Sequence, residues 1–205
     1  VLPIEIETFR NHVEGISYEV RSLDMERLVE ASDVSEFSQE NGEISTQLKL
    51  QDLLEDNREY MLILTLSCGQ EEVRYYTRII RADKYYVDET IAYVMDFHAK
   101  TFDKEAAKEL STYLEPNRDG DNTTLQKVTI HSSLKQVAWG DLAGEVLGTP
   151  VPSIKEIGAY FSTVVLDYVM ASTGENGETE FYNVEEYYRV RYSPDNKRMY
   201  LLDYE

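Results

Sequence analysis

The fold is decided by residues 59–82, EYMLILTLSCGQEEVRYYTRIIRA, in which two β-rich runs flank a short turn. Residues 60–66 alternate between two faces that are both apolar, so we predict a central strand there. The turn contains Gly69, a residue type that accepts a positive φ. Residues 73–79 alternate again. Two such runs around a short loop with a glycine predict a β-hairpin.

The residues just before this hairpin indicate the type of domain. Leu54 precedes Tyr60 by six residues, and Tyr60 opens the first strand. This spacing resembles the tyrosine corner of fibronectin type III and immunoglobulin-like sandwiches, in which the Tyr hydroxyl bonds to the backbone a few residues upstream. Asp56-Asn57 stands where those families usually have Pro-Gly.

The segment before the hairpin contains further strand patterns. Apolar and polar residues alternate over 2–6, 16–23 and 44–50, and Asn41-Gly42 is a strong turn signal. With residues 27–31, which follow a turn at 24–26, and with the hairpin, these patterns give six strands joined by short connections. We therefore predict an all-β sandwich, immunoglobulin-like or fibronectin-III-like, over residues 1–82.

The pattern changes after residue 82. Asp88 and Asp103 can cap two helices, and a strand is predicted to run from Val128 toward Trp139 before a break at residues 148–152. Two helices followed by antiparallel strands predict an α+β domain, with two helices on a curved antiparallel sheet, over residues 83–205. Its element order resembles the cone-like fold of the ketosteroid isomerase and nuclear transport factor families, and the cystatin-like folds. The three long strand candidates are residues 159–172, 181–192 and 198–204.

Composition and charge exclude several classes of partner. The chain has 205 residues and a formal net charge of -19. A nucleic-acid partner is not expected, because phosphate contacts need clustered Lys and Arg, and an anionic lipid surface is disfavoured for the same reason. The single cysteine, Cys68, excludes an internal disulfide, and we expect it to be a structural thiol in the hairpin turn. The chain starts at Val1 and ends in a strand pattern, so we expect both ends to be boundaries within a longer protein.

Four stretches resemble uncharacterised membrane-anchored surface proteins of clostridial-type Gram-positive bacteria. This resemblance brings no assigned activity. It implies an extracytoplasmic location and a membrane anchor in the full-length protein, with no direct membrane insertion of this fragment. The stretches are ISYEVRSLD at 16–24, VRYYTRII at 73–80, FHAKTFDKEAAKELSTYLEP at 97–116 and VEEYYRVRYSPDNKRMYLLDYE at 184–205.

A group of carboxylates in the last three strands is the candidate for chemistry. If both turns of that meander have four residues, Asp167 faces Val184 and Tyr188 faces Asp203, with Glu186 diagonal to both. One mostly apolar face then carries three carboxylates, which would raise one another's pKa as a general acid or base requires. A one-residue slip in either turn would separate the acids. Solvent-exposed acids paired with nearby arginines are the alternative.

The remaining polar residues do not predict a catalytic residue, a metal site or a cofactor. His98 lies on the apolar stripe of the first helix, where a hydrogen-bonded core histidine is expected. Asn117, Asp119 and Asp121 imitate a calcium loop, but Asn122 stands where that loop needs glycine. The candidate ligand-binding residues are Asp167, Glu186, Tyr188, Asp203 and His98.

Two hypotheses about function follow. The first is a non-enzymatic extracytoplasmic interaction or scaffold module of a larger surface protein, with a protein or a cell-wall component as partner. Exposed tyrosine-rich strands would supply its binding face, because Tyr is enriched at interfaces. The alternative is a small-molecule-binding or acid–base catalytic pocket in the C-terminal domain that uses the clustered carboxylates.

Overall fold

The fold is mostly β, with 48% of residues in strands and 13% in helices. It was obtained as a computed structural model. The chain divides into two compact units, Val1–Asp83 and Lys84–Glu205. The structure describes residues 1–9, 11–51, 54–158, 160–174 and 176–205.

Two antiparallel sheets make up the described part of the first unit. One sheet has the strand order β1-β5-β4 and the other has β3-β2-β6-β7. The strands are β1 Leu2–Glu7, β2 Gly15–Arg21, β3 Leu28–Asp33, β4 Gln39–Glu40, β5 Glu43–Leu48, β6 Glu59–Cys68 and β7 Glu71–Ile80.

The predicted hairpin is confirmed. β6 pairs with β7 from Glu59–Ile80 to Cys68–Glu71, and Gly69 in the turn has φ +64°. β6 is also paired with β2 on its other side, so it is central as its two apolar faces predict. The predicted hydroxyl bond is present as well, because the Glu55 N–H donates to the hydroxyl of the fully buried Tyr60 at 3.0 Å.

The core of the first unit is shared by its two sheets. Leu48 of β5 is fully buried in one cluster with Val20 of β2 and Leu62 of β6. A second cluster joins Ile44 to Ile16 in the same way. Burial of such side chains stabilises the folded state by about 1.5–3 kcal/mol each.

The second unit contains one four-stranded antiparallel sheet of order β11-β10-β9-β8, with helical segments before it in the chain. Residues that pack helix against sheet include Val94 and Phe97 of α1 with Val164, Leu166 and Tyr188. The helices are α1 Val87–Thr101, a 3₁₀ helix Ala106–Thr112 and α2 Leu134–Val137. The strands are β8 Gly144–Ile157, β9 Ser162–Thr173, β10 Thr179–Ser193 and β11 Arg198–Tyr204.

One of the two predicted helix caps is wrong. Asp88 lies inside α1, whose N-cap is Tyr86 at φ 52° with no side-chain hydrogen bond. Asp103 does act as predicted, since its carboxylate accepts from the backbone N–H groups of Glu105 and Ala106. The helix after it is of the 3₁₀ type, which is typical of short segments.

Two predictions between residues 128 and 152 are wrong. Residues 128–139 form turns and the short helix α2 instead of a strand. Residues 148–152 lie within β8 instead of breaking the chain. The register of β8 against β9 shifts between Leu147 and Val151, and Gly148 adopts φ +81° there. An edge strand can hold Pro150 and Pro152 because one side of it needs no ladder hydrogen bonds.

Candidate functional site

The register between β9 and β10 decides which carboxylates meet. Thr173 lies opposite Thr179, one residue further along β9 than predicted, and Asp167 therefore pairs with Glu185 instead of Val184. Because side chains alternate between faces, this slip moves Asp167 to the face opposite Glu186. Asp167 is exposed and Glu186 is buried.

The predicted pairing of Tyr188 with Asp203 is also wrong. Ser193 lies opposite Arg198 as expected, but the ladder shifts between Arg189 and Val190. Beyond that irregularity Tyr188 pairs with Tyr204, and Asp203 is exposed. A β-bulge adds one residue to one strand and reverses the faces beyond it. The three carboxylates therefore do not form a cluster.

Glu186 forms a different site with a histidine and two tyrosines. Its Oε1 accepts a hydrogen bond from the Tyr168 hydroxyl at 2.6 Å. Its Oε2 accepts from the Tyr188 hydroxyl at 2.6 Å and lies 3.0 Å from His98 Nδ1. Glu186 as a whole residue is 2% exposed. We call these four residues the Glu186 site.

Three secondary structure elements position the site. His98 comes from α1, Tyr168 from β9, and both Glu186 and Tyr188 from β10. Residues 186 and 188 are two apart in a strand and so lie on the same face, and Tyr168 is diagonal to Glu186 across the ladder. His98 is buried and hydrogen-bonded, as its place on the apolar stripe of α1 predicts.

Tyrosine hydroxyls around Glu186 are held neutral. Burial, together with the Glu186 charge, raises the pKa of Tyr168, Tyr188 and Tyr204 well above the usual value of a phenol. A neutral hydroxyl keeps the proton that it donates to the carboxylate. The site therefore keeps its tyrosine donors throughout the physiological pH range.

Aromatic packing fixes the orientation of these side chains. The ring centroids of His98 and Tyr168 are 5.0 Å apart with planes at 77°. Phe97 lies between the other tyrosines, with its centroid 5.5 Å from that of Tyr188 and 5.0 Å from that of Tyr204. Edge-to-face contacts of this kind add about 0.5–1.5 kcal/mol beyond burial. The site is thus built on rigid elements.

A cavity of about 1060 Å³ reaches the Glu186 site. Its size is at the upper end of the range for small-molecule pockets. Trp139 and Met170 contribute to an otherwise mixed apolar and polar wall, and Glu186 is part of the lining although it is almost fully buried. The lining comes from residues 125–128, 182–187 and 203–205, together with Gln136, Val137, Trp139, Leu142 and Met170.

Of the five predicted site residues, three come together and one lines the cavity separately. Glu186, Tyr188 and His98 are in contact, Asp203 lines the cavity without joining the site, and Asp167 does neither. Sequence reasoning missed Tyr168, because it placed this residue on the other face of the sheet. The correct register alone would have found it, since it places the side chains of Tyr168 and Glu186 on one face.

The described residues contain no group of three or more His, Cys, Asp or Glu side chains that could hold a metal ion. Within the same residues, no helix has both the length and the apolar character needed to cross a membrane. Comparisons with protein-family models and with curated protein sequences find no match to this chain. Its function is therefore inferred from its own residues.

Proposed function

We propose that the chain is a non-enzymatic binding module and that its ligand occupies the cavity of the second unit. The cavity of about 1060 Å³ carries this proposal, because pockets with a mostly apolar wall and a few placed polar groups are the usual sites of ligands. Glu186 supplies such a polar group. His98 and Tyr188 hold its carboxylate in one position, so the site is organised before a ligand arrives.

The proposal includes the location and fold families that the sequence resembles. We propose an extracytoplasmic module of a larger surface protein, on the strength of the four stretches quoted above. The Glu55–Tyr60 hydrogen bond supports an immunoglobulin-like or fibronectin-III-like sandwich for the first unit. Packing of α1 on the four-stranded sheet supports a cone-like α+β fold for the second.

The chain carries its own reporter for a binding experiment. Trp139 is the single tryptophan and lines the cavity, so its fluorescence responds to an occupant. A library of organic cations, anions, neutral metabolites and short peptides can be screened by thermal shift and by this fluorescence. A ligand at a hundred times its Kd would stabilise the folded unit by about 2.7 kcal/mol.

Two matched variants show whether a hit binds in the cavity. Val128→Phe adds bulk to the lining, whereas Val151→Phe adds the same bulk at a position on β8 that is 75% exposed. We expect Val128→Phe to weaken binding at least tenfold and Val151→Phe to leave it unchanged. Hits that bind equally to both variants, or a library without a hit, would contradict the proposal.

The Glu186–His98 contact favours a second candidate function, acid–base catalysis in the same cavity. A carboxylate held by a histidine and two tyrosines at a cavity wall is an arrangement that can transfer protons. Mass spectrometry of a bound compound after incubation separates the two functions. An unchanged compound supports binding, and a product that forms with the wild type but not with Glu186→Gln supports catalysis.

A further inference from the structure

Among the described residues, the first half of β10 has a neighbouring strand on one side only. β11 pairs with β10 from Tyr188 to Ser193, and Glu205 exchanges two backbone hydrogen bonds with Tyr187. From Thr179 to Glu186, the described residues supply a partner strand to β10 on the β9 side only. We call this stretch the open edge.

The hydrogen-bonding direction of the open edge follows from the last bonded residue. Tyr187 directs its N–H and C=O toward Glu205, away from β9. Backbone groups in an antiparallel strand alternate between the two sides, so Phe181, Asn183 and Glu185 direct theirs the same way. The open edge therefore presents a row of donors and acceptors with strand spacing.

The cavity runs along this edge. Its lining includes each of the consecutive residues 182–187, and these belong to both faces of the sheet. An occupant that contacts every residue of a strand must lie beside the strand as well as on one face of it. Residues 125–128 also line the cavity.

The other edge of the same sheet, strand β8, is protected against pairing with another chain. β8 carries Pro150 and Pro152, and its register against β9 shifts twice. Prolines and bulges are common devices that stop an edge strand from pairing with another chain. The open edge contains neither a proline nor a glycine, and its pairing with β9 is regular.

Charge indicates the partner. The cavity wall contains four carboxylates and one ammonium group, and that ammonium, on Lys127, is already in an ion pair with Glu205. The chain as a whole has a formal net charge of -19. A second copy of the chain would bring like charges together, which disfavours pairing across a ladder.

We propose that the open edge of β10 takes an extended, positively charged peptide, which adds to the sheet as a further strand. Strand addition of this kind obtains affinity from main-chain hydrogen bonds and specificity from alternate side chains. This inference rests on the proposed function, because the peptide occupies the same cavity.

Two synthetic hexapeptides test the charge requirement. One alternates lysine with valine and the other alternates glutamate with valine, and both are acetylated and amidated. Isothermal titration calorimetry and Trp139 fluorescence measure their binding. We expect the lysine peptide to bind and the glutamate peptide to bind at least tenfold more weakly. Equal binding of the two peptides would overturn the charge assignment.

N-methylation of the lysine peptide tests strand addition directly. Methyl groups on one alternate set of nitrogens remove the donors that face β10, and methyl groups on the other set do not. We expect one of the two methylated peptides to lose at least tenfold in affinity and the other to bind like the parent. Equal affinities would show that the peptide does not add as a strand.

Variants of the chain provide the complementary test. Asn183→Pro removes an edge-facing N–H and leaves the bonds to β9, so we expect a loss of peptide binding with an unchanged circular dichroism spectrum. Glu185→Gln should lower the affinity for the lysine peptide about tenfold. Asp167→Asn is the matched control, since Asp167 is exposed and lies outside the cavity lining. Full binding by Asn183→Pro would overturn the proposal.

Three results would show which of the two proposals fails. If non-peptide ligands bind and Val128→Phe removes them while neither peptide binds, the binding module stands and the peptide assignment falls. If Val128→Phe leaves every ligand bound, both fall. Sedimentation of the protein alone gives a third result, because a dimer that Asn183→Pro dissociates would show that a second copy occupies the edge.

Discussion

Glu30 in the first unit and Glu186 in the second are both buried beside tyrosine, yet their surroundings differ. Glu30 Oε1 accepts from the Tyr18 hydroxyl at 2.8 Å, and its Oε2 accepts from the Gln51 N–H at 2.9 Å. Burial, together with the Glu30 carboxylate, raises the pKa of Tyr18 to about 12. This carboxylate connects β3 to β2 and to the segment after β5, which is a structural task.

Glu186 has a histidine among its partners and borders a cavity. Its Oε2 is shared by Tyr188 and His98, whereas one of the donors to Glu30 is a backbone N–H. Glu30 is not among the residues that line the cavity. Burial of a carboxylate beside a tyrosine therefore does not by itself indicate function. The histidine contact and the cavity are what distinguish the second site.

Removal of the Glu186 side chain should have the largest effect. Glu186→Ala leaves His98 and two tyrosine hydroxyls without their shared acceptor, and we expect the unfolding free energy of the second unit to fall by about 3–5 kcal/mol. Urea unfolding followed by Trp139 fluorescence measures this unit alone, since the chain has one tryptophan.

Asp167→Ala is the control for that experiment, because Asp167 is an exposed acid of the adjacent strand. Its effect should stay within about 0.5 kcal/mol. A loss below about 1 kcal/mol in Glu186→Ala would show that water from the cavity replaces the carboxylate, and the contrast with Glu30 would disappear.

Alkaline pH should have the second-largest effect, because it should destabilise the second unit more than the first. The folded pKa values of Tyr168, Tyr188 and Tyr204 lie above the unfolded value near 10, so their contribution is fully present below pH 10 and is lost as the pH rises toward the folded pKa. Each tyrosine costs about 1.4 kcal/mol per pH unit in that window. The first unit contributes Tyr18 in the same way.

Burial raises the pKa of Tyr93 in α1 as well, so four tyrosines against one predict that the second unit loses about 3–4 kcal/mol more than the first between pH 10 and 11. Trp139 fluorescence follows the second unit, and reaction of Cys68 with a thiol reagent follows the first, because Cys68 is the single cysteine and is half-buried. Equal losses in the two units would mean that the tyrosines around Glu186 are solvated.

Glu30→Ala should have a smaller effect than Glu186→Ala. The variant leaves the Gln51 N–H without its acceptor, but the Tyr18 hydroxyl keeps the Lys49 carbonyl at 3.2 Å. We expect the first unit to lose about 1–3 kcal/mol, measured by Cys68 labelling in urea. A loss as large as that of Glu186→Ala would show that the two carboxylates contribute equally to the unfolding free energy. They would then differ only in that a cavity reaches Glu186.

The elements of both units follow from local patterns, whereas the site depends on register. Alternation over 59–82 predicts the hairpin and its central strand, and the apolar stripe of α1 predicts that His98 is buried. The contact between Glu186 and Tyr168 depends on a one-residue difference in the β9–β10 register, and the absence of Asp203 from the site depends on the irregularity between Arg189 and Val190. Several loop lengths suit the same turn residues, so a local pattern does not fix them.

β8 was missed for a related reason. Gly148, Pro150 and Pro152 are typical of a loop, yet they suit an edge strand that is bulged and needs bonds on one side only. Whether a strand lies at an edge depends on the whole sheet. The cavity is equally non-local, since its walls come from segments that are far apart in sequence.

Tyr60→Phe should have the smallest effect and sets the scale for the others. Tyr60 is fully buried, and its hydroxyl accepts from the Glu55 N–H with no carboxylate involved. Loss of one such hydrogen bond should lower the unfolding free energy of the first unit by about 1 kcal/mol, measured by Cys68 labelling. Tyr18→Phe should cost more, because the Tyr18 hydroxyl donates to a buried carboxylate. Equal losses would show that tyrosine burial, and not the hydrogen bond to the carboxylate, dominates the contribution of Tyr18 to the Glu30 site.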